Sequence, residues 1–487
     1  MEHIETDVAI IAAGLSGLAA AISSAECGAS VCVCEKWQVT GGAGNMGMGP
    51  LAIDTPQQRR QLYNIEVDKA FDMFMEYTHW RVDAQLVRKY FDLSADTISW
   101  LMDMGVRFRV AKYFPQSEAT WHQVIDDNGD STSGSSATTV RLMTQRAVEL
   151  GVNIHLETPV QSILVDEGHV RGFIAQKSNG DLLEVRSKAV IIATGGFGDN
   201  VELIEKKLGY KWGDDFFGIR VPGLAGDGIR MAIEAGAAES EVNIEMIARM
   251  ASLATGQLAY PEINAVFCQP NLLVNLQGER FFNEEMFSNA TFAGNAISLQ
   301  KGRVAFMVLD EAIKKRYMRN GLDLVRQLFQ DMEFSDFDKH FASELEMGNG
   351  DLFMADTLEA LAGSMGVEIA GFVATVEEYN SMCKSRDEKL CKRSSFMNQI
   401  KRAPFYAARF FPSCYGTLGG IKVNHRLEVL TPEHEPIPGL YASGTDACSI
   451  FGDSYMFLLP GNTMGFALNS GRMAGENAES YARRLLD

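Results

Sequence analysis

The sequence predicts an α/β fold interrupted by an inserted α+β segment. Three observations carry that expectation. The chain opens on an apolar strand, an Ala-rich helix and a second apolar strand, which is a βαβ unit. Another wholly apolar run, Ala189–Thr194, lies far along the chain and ends in Gly195-Gly196. Between 236 and 400 the pattern turns to mixed helices with a Phe/Met-rich stretch, after which strands return.

Thr6–Ala12 reads as a buried strand, Leu15–Cys27 as the helix and Ser30–Glu35 as the second strand. Val67–Thr78 and Asp83–Met104 carry apolar residues at i, i+3 and i+4 and read as amphipathic helices. Lys112–Ala137 is rich in Gly, Ser and Asp and reads as one long polar loop. From Thr138 a helix leads into Asn153–Glu157, Val160–Asp166, His169–Gln176 and Leu182–Arg186, expected as antiparallel hairpins. Ala189–Thr194 is expected as a separate strand, and a helix starts around Gly226-Asp227-Gly228. The expected division is 1–235, an insertion at 236–400, and 401–487, whose last helix runs from Gly461 to Leu486.

At 487 residues the chain is long enough to bury its own core without disulfide or metal staples. Its 46% apolar and 22% charged residues exclude collagen-like, coiled-coil and disordered chains. The net charge of −19 and the lack of a Lys/Arg-rich run exclude a nucleic-acid binder and disfavour an anionic membrane surface. That charge suits solubility, and equally the docking of a basic electron carrier. The N-terminus has neither a basic region nor a long apolar one, and no stretch reaches the ~20 apolar residues of a membrane span. A cytoplasmic protein is therefore expected. Eight cysteines are scattered without a CxxC pair, so no metal site is expected.

After the first strand comes Ala12-Ala13-Gly14-Leu15-Ser16-Gly17. This is a GxGxxG turn with alanine for its first glycine. Gly14 lets backbone approach a pyrophosphate, Gly17 lets helix and strand pack closely, and the N–H groups around Ala13 and Ser16 face the phosphates. Glu35, followed by Lys36, stands about 20 residues on, where an acid binds a ribose diol. Gly41-Gly42-Ala43 and Gly47-Met48-Gly49 can bring backbone against a flat ring. Ala193-Thr194-Gly195 and Gly444-Thr445-Asp446 are turns at strand ends, and Gly461-Asn462-Thr463 opens the last helix, whose positive end would face an anionic ring edge. Val160 and Asp227 complete the expected cofactor-binding set.

Taken in this order, these elements resemble the flavoprotein superfamily of fumarate reductases, succinate dehydrogenases and 3-ketosteroid dehydrogenases. The resemblance extends to Gly226-Asp227-Gly228, to Asn275 through Glu284, and to Gly471 through Glu476. It implies a Rossmann-like FAD-binding domain with an inserted α+β capping domain, the latter being 236–400. It also implies FAD held without a covalent link, since no histidine stands near Gly41–Gly49. Electrons are then expected from a soluble carrier, NAD(P)H or a partner subunit.

Fumarate reductases of this kind bind and protonate a dicarboxylate with two arginines and a histidine. Here the matching positions are Ser288, Leu458 and Gly416. Losing all three removes the charge a dicarboxylate requires. A neutral, polycyclic or aromatic substrate is therefore expected in a charge-depleted site. Reductases acting on an isoflavonoid such as tetrahydrodaidzein are similar in build, and the Pro460-Gly461 turn is similar to that of ketosteroid dehydrogenases. The candidate catalytic groups are Tyr415, Ser288, Tyr455, Trp121 and His122. A tyrosine hydroxyl can protonate a carbanion or bond a carbonyl, Ser288 can orient a water, and Trp121-His122 can stack and exchange a proton. Each is equally readable as a core or rim residue. A flavin-binding electron carrier without its own substrate is the alternative function.

Overall fold

The computed structural model describes residues 2–219, 221–329 and 332–485. The chain begins with β1 (Glu2–Ile11), the helix Leu15–Glu26 and β2 (Val31–Cys34). Val8, Ile10 and Val33 are fully buried, as an apolar strand covered on both faces must be. β1 and β2 run parallel, with Val8 opposite Val31 and Ile11 opposite Cys34. The helix packs hard on β1 because Gly17 has no side chain. A β-carbon there would lie 2.1 Å from the carbonyl oxygen of Ala12.

Helices follow at Val67–Tyr77 and Ala84–Asp103, the second capped by the Asp83 carboxylate, which accepts from the N–H groups of Gln85 and Leu86. β3 (Arg107–Ala111) and β4 (Trp121–Ile125) then pair antiparallel. The segment expected as one polar loop therefore contains a strand. Ser, Asp and Gly flank Trp121–Ile125 and hide it, while His122 and Gln123 are buried polar residues that break its apolar pattern.

After the helix Ala137–Glu149 come β5 (Asn153–His155), β6 (Val160–Asp166), β7 (His169–Gln176) and β8 (Leu182–Ile192). The two strands expected at Leu182–Arg186 and Ala189–Thr194 are the single strand β8. The polar pair Ser187-Lys188 suggested a break, but Ser187 is buried and Lys188 reaches Asp7 at 2.7 Å. β8 runs parallel to β1 over its whole length and antiparallel to β7 over its first half.

β9 (Glu239–Arg249), β10 (Leu272–Val274), β11 (Ala305–Asp310) and β12 (Leu352–Ala355) precede β13 (Phe405–Ile421). β14 (Glu428–Leu430), β15 (Pro436–Ala442) and β16 (Ala447–Cys448) lead to the final helix Asn462–Arg484. Leu486, its expected end, lies outside the described residues.

The first sheet has the order β14-β15-β8-β1-β2-β5, with β6 and β7 attached beside β8. The second has the order β10-β11-β13-β12, and β9 and β16 pair with the far half of β13. Two hydrophobic cores result. The first gathers residues from both ends of the chain, and the second is built from side chains between Ala248 and Phe411. β13 runs from one to the other, with Phe405–Phe411 in the second core and Cys414, Leu418 and Ile421 in the first. Among the described residues no helix is long and apolar enough to cross a membrane.

Candidate active site

The carboxyl ends of β1, β2 and β8 open on a cavity of about 1000 Å³ that continues to β9 and β13. A crevice at the carboxyl ends of parallel strands is where this architecture binds ligands. Gly14, Ser16, Glu35 and Lys36 line it near β1 and β2. Gly41, Gly42, Ala43, Gly47, Met48 and Gly49 form one wall. Val160 and the turn Ala193, Thr194 and Gly195 form another, and Asp227, Thr445, Gly461 and Thr463 complete the set.

Five residues expected to bind the cofactor lie behind the wall instead. The Ala13 N–H donates to the Glu35 carboxylate at 2.7 Å, and Gly17 seals the helix against β1. Gly444 donates its N–H to Ser470. Asn462 is buried and donates to the carbonyls of Met456 and Leu459. Asp446 is fully buried and holds the Thr194–Gly196 turn from beneath, accepting from the N–H groups of Thr194, of Gly195 at 3.2 Å and of Gly196 at 2.9 Å. Burial raises its carboxyl, and those donors pull it back. These residues shape the wall because a buried polar group must be paired.

The wall fits FAD. The helices Leu15–Glu26 and Asn462–Arg484 start at Gly14 and Gly461, both on the cavity, and neither has a side-chain cap. Apart from the Thr463 N–H, which donates to the Tyr455 oxygen, their first N–H groups are thus open to phosphate or to a ring edge. Glu35 is fixed by the N–H groups of Ala13 and Trp37, which aims it while leaving lone pairs for hydroxyls. Lys36 is held on Asp227 at 2.8 Å.

Of the expected catalytic groups, three reach the cavity. Trp121 lines it and donates its indole N–H to the Gly49 carbonyl at 3.0 Å, bracing the glycine wall. Tyr455 is buried, and its oxygen accepts from the Thr463 N–H at 3.2 Å. Tyr415 stands at the mouth, 42% exposed. The other two do not reach it. Ser288 is buried against Gln116, with its hydroxyl 3.4 Å from the amide oxygen. His122 is fully buried, its ring held 2.8 Å from the Thr55 hydroxyl and 3.0 Å from the Thr120 carbonyl. That burial lowers its pKa to about 4, so its ring is neutral near pH 7.

The site is not charge-depleted as expected, because β9 brings Glu245 and Arg249 to the cavity. Residues four apart on a strand share a face. Glu245 is 3% exposed, and the Thr463 hydroxyl donates to its Oε1. Burial pushes its carboxyl up to about 7, against the pull of that hydrogen bond. It sits opposite a bulge, since Cys414 pairs with Met246 and Thr417 with Ile244, leaving Tyr415 and Gly416 between. Arg249 is half-buried over the Tyr415 ring, 6.0 Å from its centroid.

The same cavity has an aromatic wall. Tyr113 packs on Trp121 and Phe457 with centroids 5.4 and 4.8 Å away, and Phe457 leads on to Tyr455. Burial and the Tyr415 hydroxyl push the Tyr113 phenol up, while Arg326 and Arg249 oppose the rise. Sequence reading missed Glu245 and Arg249 because no motif surrounds them. The available signal was an acid and a base four apart within the apolar run Ile244–Met250.

The chain matches the FAD binding domain family over residues 7–463. It is 28% identical to a vinyl phenol reductase of Lactiplantibacillus plantarum, across 99% of this chain and 98% of that one. It is 27% identical to a cytochrome-linked fumarate reductase of Shewanella frigidimarina, across 99% of this chain and 78% of that one. Its fold matches the structure of the 3-ketosteroid-Δ4-(5α)-dehydrogenase from Rhodococcus jostii RHA1 with a TM-score of 0.77 at 24% identity, covering 98% of this chain and 97% of that one. A family match over most of the chain, on a fold whose glycine wall fits the cofactor, makes this protein a member of the FAD binding domain family and an FAD-dependent oxidoreductase.

Proposed function

We propose that this enzyme reduces a benzylic carbon, one attached to a phenol ring, in a neutral substrate. A 4-vinylphenol is the simplest such compound, and an isoflavonoid such as tetrahydrodaidzein is a larger one. The observation that carries the reading is the placement of Glu245 and Arg249 on one face of β9, at a cavity walled by Tyr113, Trp121 and Phe457. Arg249 is one guanidinium, short of the two arginines and the histidine expected of a dicarboxylate reductase, and Gly416, Leu458 and Ser288 add no further cation. The likeness to a vinyl phenol reductase over nearly the full length of both chains supports it.

FAD supplies hydride at the flavin ring when bound. Gly14, Ser16 and Gly195 would hold its phosphates, Glu35 its ribose, and the Gly41–Gly49 wall with Gly461 and Thr463 its ring. The link is non-covalent in this reading, because the His122 ring is turned away to Thr55 and Thr120. The aromatic side chains stack on the substrate ring and exclude water. Arg249 and Tyr415 take the phenolic oxygen, and Tyr455 and Thr463 fix the Glu245 end. Residues 236–400 act as a cap over a domain made of 1–235 and 401–487. Electrons come from a separate donor, either a soluble carrier, a nicotinamide nucleotide or a partner subunit.

Anaerobic mixing tests the reading. Dithionite-reduced enzyme is mixed in turn with 4-vinylphenol, tetrahydrodaidzein, a 3-ketosteroid enone and fumarate, and flavin absorbance is followed. Reoxidation by the phenols and silence with fumarate are expected. Rapid reoxidation by fumarate overturns the reading, and reoxidation by the enone alone moves the substrate class to ketosteroids, which the fold likeness and the Pro460-Gly461 turn also suit.

A further inference from the structure

We infer that Glu245 and Arg249 are the two ends of a proton circuit on a para-vinyl phenol: Glu245 protonates the outer alkene carbon while the phenolic oxygen, turned to Arg249, loses its proton. The inference rests on the phenol reading above and adds the step that makes such an alkene reducible. An electron-rich vinylphenol is a poor hydride acceptor. Its quinone methide tautomer is a good one, at the benzylic carbon.

The step balances without any redox change. The alkene π pair forms a new C–H bond with the Glu245 proton, turning the outer CH2 into CH3. The phenolic O–H pair becomes the C=O π bond, and the ring electrons shift to an exocyclic C=C at the benzylic carbon. The phenolic proton leaves to solvent beside the exposed Tyr415, and Glu245 remains as a carboxylate until it regains a proton.

The geometry suits this division of labour. At about 3.3 Å per residue, Glu245 and Arg249 have backbones roughly 13 Å apart on one face, room for one benzene ring with a hydrogen-bonding group at each end. Gly416 lays no side chain over Glu245. A β-carbon there would be 3.4 Å from its Oε2, so the carboxyl is reachable from the cavity. The groups facing Glu245 from other elements are neutral: the Thr463 hydroxyl, the Tyr455 phenol and the thiols of Cys414 and Cys448. Among the described residues no cation bonds to it, and burial leaves it a proton near neutral pH. At the other end, the Arg249 guanidinium and the Tyr113 and Tyr415 hydroxyls are donors suited to an oxygen that gains negative charge.

Hydrogen exchange tests it without turnover. Oxidised holoenzyme is incubated with 4-vinylphenol in D2O with no reductant, and the outer alkene carbon is followed by proton NMR. Deuterium is expected there with the parent enzyme, and none with 4-vinylanisole, which has no phenolic proton to lose. Glu245→Gln is expected to lose exchange at least tenfold, and Glu245→Asp to keep a measurable part of it, both judged at equal flavin content. Reduction of 4-vinylphenol without exchange, or parent-like exchange in Glu245→Gln, overturns the circuit and leaves the substrate reading standing. If 4-vinylphenol is neither exchanged nor able to reoxidise the reduced flavin, the substrate reading falls and the circuit falls with it.

Discussion

Gly416 and Glu245 face each other across the bulge of β13, with no side chain between the Gly416 backbone and the Glu245 carboxyl. A histidine at this glycine would supply the imidazole that dicarboxylate reductases are expected to carry there. It would meet a carboxylate rather than a substrate. Gly416→His is therefore expected to form an internal ion pair and to lower the Glu245 pKa toward the ordinary carboxylate range. The expected outcome is at least a tenfold loss in kcat/KM for 4-vinylphenol with no gain of fumarate reduction. Steady-state assays on both substrates check it.

The raised pKa of Glu245 makes a signed prediction for stability. Between the unfolded value of 4.5 and the folded value of about 7, the folded state binds the extra proton. Its contribution is fully present below pH 4.5 and is lost as pH rises through 7. The shift corresponds to roughly 3 kcal/mol. Glu245→Gln keeps an acceptor for Thr463 and cannot ionise, so it is expected to exceed the parent in stability at pH 8 and to match it near pH 4.5. Urea denaturation at the two pH values decides this.

His122 has the opposite sign. Its folded pKa of about 4 lies below the unfolded 6.5, so the unfolded state binds the extra proton between them. Stability is lost as pH falls from 6.5 to 4, by roughly 3 kcal/mol. His122→Gln is expected to flatten that acid limb and to leave the pH profile of substrate reduction unchanged. A moved activity profile would return His122 to the catalytic groups.

The first turn of the nucleotide wall carries strain at a non-glycine. Ala12 has φ of 80°, a left-handed conformation that suits glycine. Ala12→Gly is expected to relieve about 1 kcal/mol and to hold flavin at least as tightly. Gly17→Ala is expected to cost about 3 kcal/mol or more, since the obstructing atom is backbone. Thermal melts and flavin release on heating compare the pair.

The fold was legible wherever constraint is local. The βαβ opening, the glycine wall and the final helix are backbone requirements that each leave a residue type in place. Asp446 was legible as important but not in its role, because its partners Thr194–Gly196 lie some 250 positions away. Ser288 stands at the expected offset from Asn283-Glu284, yet the 3-10 turn Glu284–Ser288 buries it against Gln116. Glu245 and Arg249 left only their spacing within an apolar run, because their meaning as a site comes from the pairing of β9 with β13. No reading of either strand alone contains it.

That pairing makes strand length matter more than residue identity. A single residue inserted just before Glu245 would turn Glu245 and Arg249 to the opposite face and present Met246 and Ala248 where Ile247 and Arg249 now stand. Both polar ends would vanish at once while every residue type remained in the chain. Among homologous sequences, a gap or an extra residue in this strand marks changed chemistry even where the acid and the base are both retained.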